Sequence, residues 1–288
     1  MPQLSAARVT IVAGKGGVGK TTVTAVLARA AADAGLRVLA VELDGKPVLA
    51  DLLGDIPHEV VEGPAALEAY LREHGFGRIA RRLTTTGVVD VVATAAPGID
   101  DIVVLGKVKQ LERSGEWDVI VVDGPAAGHA LTFLTSAAGL LDAVRGGPVR
   151  TQAQDVVDLL SDPERCQVVL VTVPETTPVN ELVETAYALE DRVGVHLGPV
   201  VVNNVDDLGG AGVPDPSGVE LADLSAADAA LLTAAATFRR ARLQMQADEI
   251  ARLAAEVALE QWYLPLLPVA GLDAADVATL AGSLRSKP

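Results

Sequence analysis

Nine consecutive residues, Gly14-Lys15-Gly16-Gly17-Val18-Gly19-Lys20-Thr21-Thr22, carry more chemistry per position than any other stretch of the chain. Glycines let the backbone bend so that successive N–H groups converge. A helix opening at Thr21 adds the positive end of its dipole at the same point. Phosphate oxygens suit such a cradle. Lys20 is placed to reach the β- and γ-phosphates of a nucleotide, and the Thr21 hydroxyl to coordinate Mg²⁺. The loop follows an apolar strand, Val9–Ala13, and precedes an Ala-rich helix, which is the context a phosphate-binding loop requires. The alternative is a glycine-rich turn holding a chance lysine.

Two carboxylates could complete the site. Asp123 follows the apolar run Val119–Val122 and opens Asp123-Gly124-Pro125-Ala126-Ala127-Gly128-His129. A carboxylate at the end of a buried strand is where a group supporting Mg²⁺ belongs. Gly124-Pro125 predicts a turn, after which Gly128 could bring a backbone N–H near a γ-phosphate. Asp44, after the run Val38–Glu42, is a candidate metal ligand and a candidate to orient or deprotonate an attacking water, with Glu42 as its substitute. Both have plainer readings. Asp123 could be a helix N-cap, and Asp44 the turn carboxylate of Leu43-Asp44-Gly45-Lys46-Pro47.

Such residues need a scaffold that brings several strand ends to one edge. Apolar runs at Val9–Ala13, Val38–Glu42, Val88–Ala93, Val119–Val122, Val168–Val173 and Val200–Val202 alternate with segments of helical period. The helices are expected near Thr21–Ala34, Pro64–His74, Ile102–Arg113, Ala130–Ala137, Thr151–Leu160, Pro178–Arg192 and Ser225–Glu260. That alternation predicts an α/β fold, a doubly wound and mostly parallel sheet flanked by helices. Residues 1–288 read as one domain, with a reduced helical region around 130–165 and a long helix around 225–260. In the long helix Leu243, Ile250, Leu253 and Val257 form a core-facing stripe. Arg239, Arg240 and Arg242 read as a solvated face or as a phosphate or partner contact. Asp206–Gly218 is rich in Gly, Pro and Asp and reads as a loop.

Composition narrows the class. With 288 residues, 50% of them hydrophobic, the chain can bury a sizeable core, which excludes disorder. A single cysteine, Cys166, excludes an internal disulfide and any cysteine cluster for zinc or a metalloid. The first apolar run is too short for a signal peptide, so the expected location is cytoplasmic, or at the membrane periphery through a partner. A net charge of -15 argues against nucleic-acid binding.

With these elements in place the chain resembles the arsenite-pump and tail-anchored-protein-targeting ATPases, and most closely their actinobacterial anion-transporting ATPase-like relatives. Lys15, just after the first glycine, matches the deviant Walker A of P-loop NTPases that dimerise on nucleotide. Further matches are Pro97-Gly98-Ile99-Asp100-Asp101, Gly128-His129, Val173-Pro174-Glu175 with Glu181, Val201-Val202-Asn203, and Pro265-Leu266-Leu267-Pro268 before Gly271. The resemblance implies that Lys15 reaches across a dimer to the partner's nucleotide, that Asn203 hydrogen-bonds adenine, and that Pro268 lines the base. For Asn203 the alternative is a buried amide capping a strand end. The pattern departs from the family at two places. Gly45-Lys46-Pro47 replaces Pro-Ala-His after Asp44, and Gly124 stands where Thr is usual.

The resemblance thus implies an ATP-binding, ATP-hydrolysing, Mg²⁺-dependent dimer, a homodimer or a heterodimer with a paralogous ATPase, regulating a transport or membrane-protein-targeting process. A membrane protein or transporter is its expected client. A nucleotide-gated, non-hydrolysing subunit of a heterodimer is the alternative. A partitioning or septum-site type ATPase ranks third, because the tail Ala274–Pro288 holds only Arg285 and Lys287 as cations. The apolar run Ala130–Leu141 reads as helix packing or as a reduced partner surface.

Overall fold

The computed structural model describes residues 7–43, 48–73, 99–206 and 225–284. In chain order these form β1 (Val9–Gly14), α1 (Lys20–Asp33), β2 (Val38–Glu42), α2 (Val48–Leu53), β3 (His58–Val60) and α3 (Gly63–Glu73). There follow α4 (Ile99–Ser114), β4 (Val119–Ala126), α5 (Ala127–Ala143), α6 (Pro148–Leu160), β5 (Cys166–Thr172) and α7 (Thr176–Arg192). The chain closes with β6 (Leu197–Val205), α8 (Ala226–Glu256), β7 (Gln261–Pro265) and α9 (Ala274–Ser283). Seven strands make one sheet in the order β3-β2-β4-β1-β5-β6-β7. Every neighbouring pair is parallel.

Both faces of the sheet are covered, which is why its strands read as apolar runs instead of alternating. On one face Val9, Ile11 and Ala13 of β1 pack with Leu105 of α4, Leu134 of α5, Leu159 of α6, Leu182 of α7 and Leu253 of α8. On the other, Val12 packs with Val23 and Leu27 of α1, Leu52 of α2 and Leu280 of α9. The expectation of a doubly wound sheet holds, with all strands parallel. Leu253 of α8 and Val257, its C-cap, are buried while Leu243 and Ile250 are half-buried, as a core-facing stripe requires. In α5, Phe133, Leu134 and Ala137 are buried, so this part of the apolar run is helix packing. No described helix is long and apolar enough to cross a membrane.

The differences from expectation lie at polar or short elements. The edge strand β3, His58-Glu59-Val60, has too little apolar character to be read, and α2 is only 6 residues long. Strand β7 and helix α9 complete the sheet and its cover, and α9 starts at an Asp273 capping box with Asp276. The run expected at Val88–Ala93, like most of the loop Asp206–Gly218, lies outside the described residues.

The predicted turn at Gly124-Pro125 is not formed. Strand β4 continues through both residues to Ala126, and Gly128 falls inside α5. Pairing with β1 shifts between Val12↔Asp123 and Gly14↔Ala126, so Pro125 sits in an irregularity of the ladder where its missing N–H is tolerated.

Candidate functional site

The parallel strands deliver their ends to one edge, and the candidate residues gather there. The loop Lys15–Gly19 joins the end of β1 to α1. Gly19, the N-cap of α1, has φ 90. A Cβ there would also lie 2.3 Å from Asn203 Nδ2, so left-handed backbone and close approach both demand glycine. The first turn of α1 has no acidic residue and no side-chain cap. The amides of a first helical turn have no carbonyl partner within their own helix, an arrangement that suits an anion.

Asn203, buried near the end of β6, donates from Nδ2 to the Val18 carbonyl at 2.9 Å and so braces the loop from the next strand but one. Lys20 Nζ lies 3.4 Å from the Lys15 carbonyl, folded over the cradle. The ammonium of Lys15 pairs with Glu181 of α7. In the sequence Glu181 stands only as part of a pattern with Val173-Pro174-Glu175. Nothing in its spacing says that it faces Lys15, since the two are 166 residues apart and meet through the fold.

Asp123 projects from β4 onto α1. Thr21 Oγ1 donates to Asp123 Oδ2 at 2.7 Å, and Thr24 Oγ1 lies 3.4 Å from Oδ1. Thr24 is a second residue missed from sequence, although its i+3 spacing from Thr21 puts the two hydroxyls on one helix face. Glu42 ends β2 in register with Asp123 and is buried. Hydroxyl and carboxylate oxygens are the hard donors that Mg²⁺ takes. Among the described residues there is no cluster of three or more His, Cys, Asp or Glu that could cage a metal alone. A site of few protein oxygens plus substrate phosphates is the usual Mg²⁺ arrangement, so the residues present fit that ion.

Asp44 lies outside the described residues, one position beyond Leu43. Pro268 is exposed in the segment after β7, at the same edge as Asn203 because β6 and β7 are paired. Gly124 also has a reason: a Cβ there would lie 2.4 Å from the Val12 carbonyl. The close pairing of β4 on β1 leaves no room for a threonine in this backbone. Beside the site is a cavity of about 430 Å³ lined by residues including Leu43, Asp100, Asp101, Pro125 and His129. Burial, then the neighbouring Asp100, push the Asp101 carboxyl above its ordinary range, against a smaller opposing pull from His129. Burial also drives the Cys166 thiol to about 12, so it is no nucleophile.

The sequence profile described as Anion-transporting ATPase matches residues 7–145, which carry the loop, Asp123 and His129. The chain belongs to the anion-transporting ATPase family. ATPase BagA of Mycobacterium tuberculosis is 32% identical over 226 residues, covering 70% of this chain and 66% of that protein. The arsenical pump-driving ATPase of Escherichia coli is 30% identical over 203 residues, 66% of this chain and 33% of its own length. A putative arsenical pump-driving ATPase of Halobacterium salinarum is 29% identical over 223 residues, with 66% and 34% covered. The chain therefore spans about two thirds of the mycobacterial relative and about a third of the pump-driving ones. The family resemblance expected from the loop and the Asp123–His129 stretch is borne out.

Proposed function

We propose that this anion-transporting ATPase family member is a Mg²⁺-dependent, dimeric ATPase whose nucleotide cycle drives or regulates a transport or membrane-protein-targeting process. The observation that carries the reading is the Thr21–Asp123 hydrogen bond beside an uncapped helix N-terminus and two lysines. The backbone of Gly14, Gly16, Gly17, Val18 and Gly19, with Lys20 and Thr22, holds the phosphates. Thr21 and Asp123, with Asp44, hold Mg²⁺, which neutralises charge on the phosphates when bound. Asp44 orients the water. Asn203 keeps its Nδ2 on Val18 and offers its carbonyl oxygen to the exocyclic amine of adenine, with Pro268 against the base. Lys15 leaves Glu181 and reaches a partner's nucleotide, in a homodimer or a heterodimer with a paralogous ATPase. A cytoplasmic protein brought to the membrane by a transporter or membrane-protein client fits this cycle.

Steady-state ATP hydrolysis with and without Mg²⁺, beside Lys20→Ala and Lys15→Ala and with oligomeric state followed in parallel, tests the reading. Turnover that needs the metal and both lysines supports it. Gly124 favours a second reading, a nucleotide-gated subunit that holds a heterodimer without hydrolysis, because the family's usual hydroxyl is sterically excluded there. Tight ATP binding without turnover would select that reading.

A further inference from the structure

Helix α8 is 31 residues long, and only its C-terminal part is built into the protein. Asp206, just beyond β6, donates its N–H to Gln246 Oε1 at 2.9 Å, and its carboxylate accepts from Arg242 Nε at 2.8 Å. Thr176, which opens α7 beyond β5, donates to Glu249 Oε1 at 2.8 Å. Residues 242–249 therefore lie level with the edge of the sheet where the strands end. The helix runs antiparallel to the strands on its way into β7. Residues 226–241, roughly 24 Å of helix, must then project past the edge that carries the phosphate loop.

That projection bears a second apolar stripe. Leu231, Phe238 and Met245 recur every seven residues and are 69%, 70% and 39% exposed. Ala227, Ala234 and Ala241, each four residues earlier, are exposed as well. Spacing by four and three residues is that of a helix–helix seam. The packed face, with Leu243, Ile250 and Leu253, lies about a third of a turn away, so the stripe is not an extension of the core. Single exposed leucines are ordinary, but a continuous seam along a projecting helix is not.

We propose that this seam pairs antiparallel with the same seam of a second copy of the chain. In one antiparallel register Leu231 meets Ala241 of the second copy, Phe238 meets Ala234, and Met245 meets Ala227. Each bulky side chain faces an alanine, and the two-fold axis repeats every contact. The same register brings Asp228 near Arg242 of the second copy, where it would join the Arg242–Asp206 pair at that point of the seam. A parallel pairing would instead stack Phe238 on Phe238 and alanine on alanine, alternating crowded layers with empty ones. A stable interface buries roughly 800 Å² per partner, and the arm is one part of it. It adds to a contact across the phosphate loop on the same edge, and so rests on the dimeric reading above for its partner.

The test uses the full chain in sedimentation equilibrium, with and without ATP and Mg²⁺, beside Phe238→Asp. The expected result is a nucleotide-dependent dimer whose dissociation constant rises at least about tenfold in the variant. Helical content by circular dichroism should be unchanged, since Phe238 faces solvent in the monomer. Orientation is read with a short bis-maleimide, to which the buried Cys166 is unreactive. Ala235→Cys, beside the two-fold axis, should link to itself, and Ala227→Cys, whose copies end far apart, should not. A wild-type chain that stays monomeric, a variant that dimerises like the parent, or efficient linkage through Ala227→Cys overturns the proposal. ATP turnover with no effect of Phe238→Asp on dimerisation removes the seam and leaves the ATPase reading standing. A Phe238-dependent dimer without turnover does the reverse.

Discussion

The two ends of the parallel sheet are built on opposite plans. At the end where strands begin, charges are closed on one another. Arg37 donates to Asp118 from its backbone N at 2.9 Å and from its guanidinium at 2.7 Å, tying the start of β2 to the start of β4. Arg165 makes a two-point contact with Glu112, which is buried at the end of α4. Around the phosphate loop, at the end where strands finish, the charged groups are held in ways a ligand can replace. Lys15 rests on Glu181, Lys20 folds over its own loop, and Thr21 sits on Asp123. One end stabilises the fold, and the other keeps polar groups poised without apolar packing. Substitutions should therefore separate: those at the finishing end change nucleotide chemistry, and those at the starting end change stability.

The largest effect should come from Lys20→Ala. Loss of a preorganised cation on the phosphates should lower ATP turnover by about a thousandfold or more, with thermal stability close to the parent's. Equal losses in activity and melting temperature would blur the two ends and sink the separation. At the other end, Arg165→Met strands the buried Glu112 carboxylate. Chemical denaturation should show about 3 kcal/mol of lost stability, while ATP turnover per folded molecule stays unchanged. A variant that is fully stable would mean that the pairing there is ornamental.

Gly19→Ala sharpens the contrast because it belongs to both ledgers. The left-handed backbone and the contact with Asn203 should together cost about 2 kcal/mol in denaturation, and ATP binding should fall as the loop shifts. A smaller effect is expected at the Lys15–Glu181 pair, which is exposed enough for solvent to screen most of its energy. Glu181→Gln frees Lys15, and ATP-dependent dimerisation measured by light scattering should tighten by about two- to fivefold. Weaker dimerisation would mean that Glu181 positions Lys15 for its partner and does not hold it back.

How much was legible from sequence follows the same division. The loop, the strand before it and Asp123 were readable because glycine spacing and an apolar run are local signals. The sheet could be inferred from doubly covered Val-rich strands. What escaped was whatever depends on tertiary approach. Glu181 meets Lys15 only because α7 follows β5 beside β1. The continuation of β4 through Gly124-Pro125 goes with its pairing to β1, which brings the Val12 carbonyl too close to position 124 for a Cβ. Local turn propensity pointed the other way, and the sheet ladder overrode it. The edge strand β3 has only three residues, two of them polar, and no period to detect.

The smallest effects, and the most specific to the contrast, concern two aspartates shifted in opposite directions. The Arg37 guanidinium and backbone N–H lower the Asp118 carboxyl from 3.8 to about 2. A depressed carboxylate contributes stability that is present above its unfolded value and lost as pH falls toward its folded one. The Asp118 contribution should therefore vanish between about pH 4 and pH 2. Asp101, raised by burial and by Asp100, has the opposite sign. Its folded form holds a proton more tightly than its unfolded form, so it penalises the fold at neutral pH, and the penalty lifts as pH falls through its folded value. Urea midpoints measured from pH 7 to pH 2 should then diverge. Asp118→Asn should lower the midpoint slightly at pH 7 and converge on the parent in acid. Asp101→Asn should raise it at pH 7 and lose that advantage on acidification. If both substitutions moved the midpoint the same way at pH 7, the finishing end would be as well compensated as the starting end, and its carboxylates would not be held at a cost to the fold.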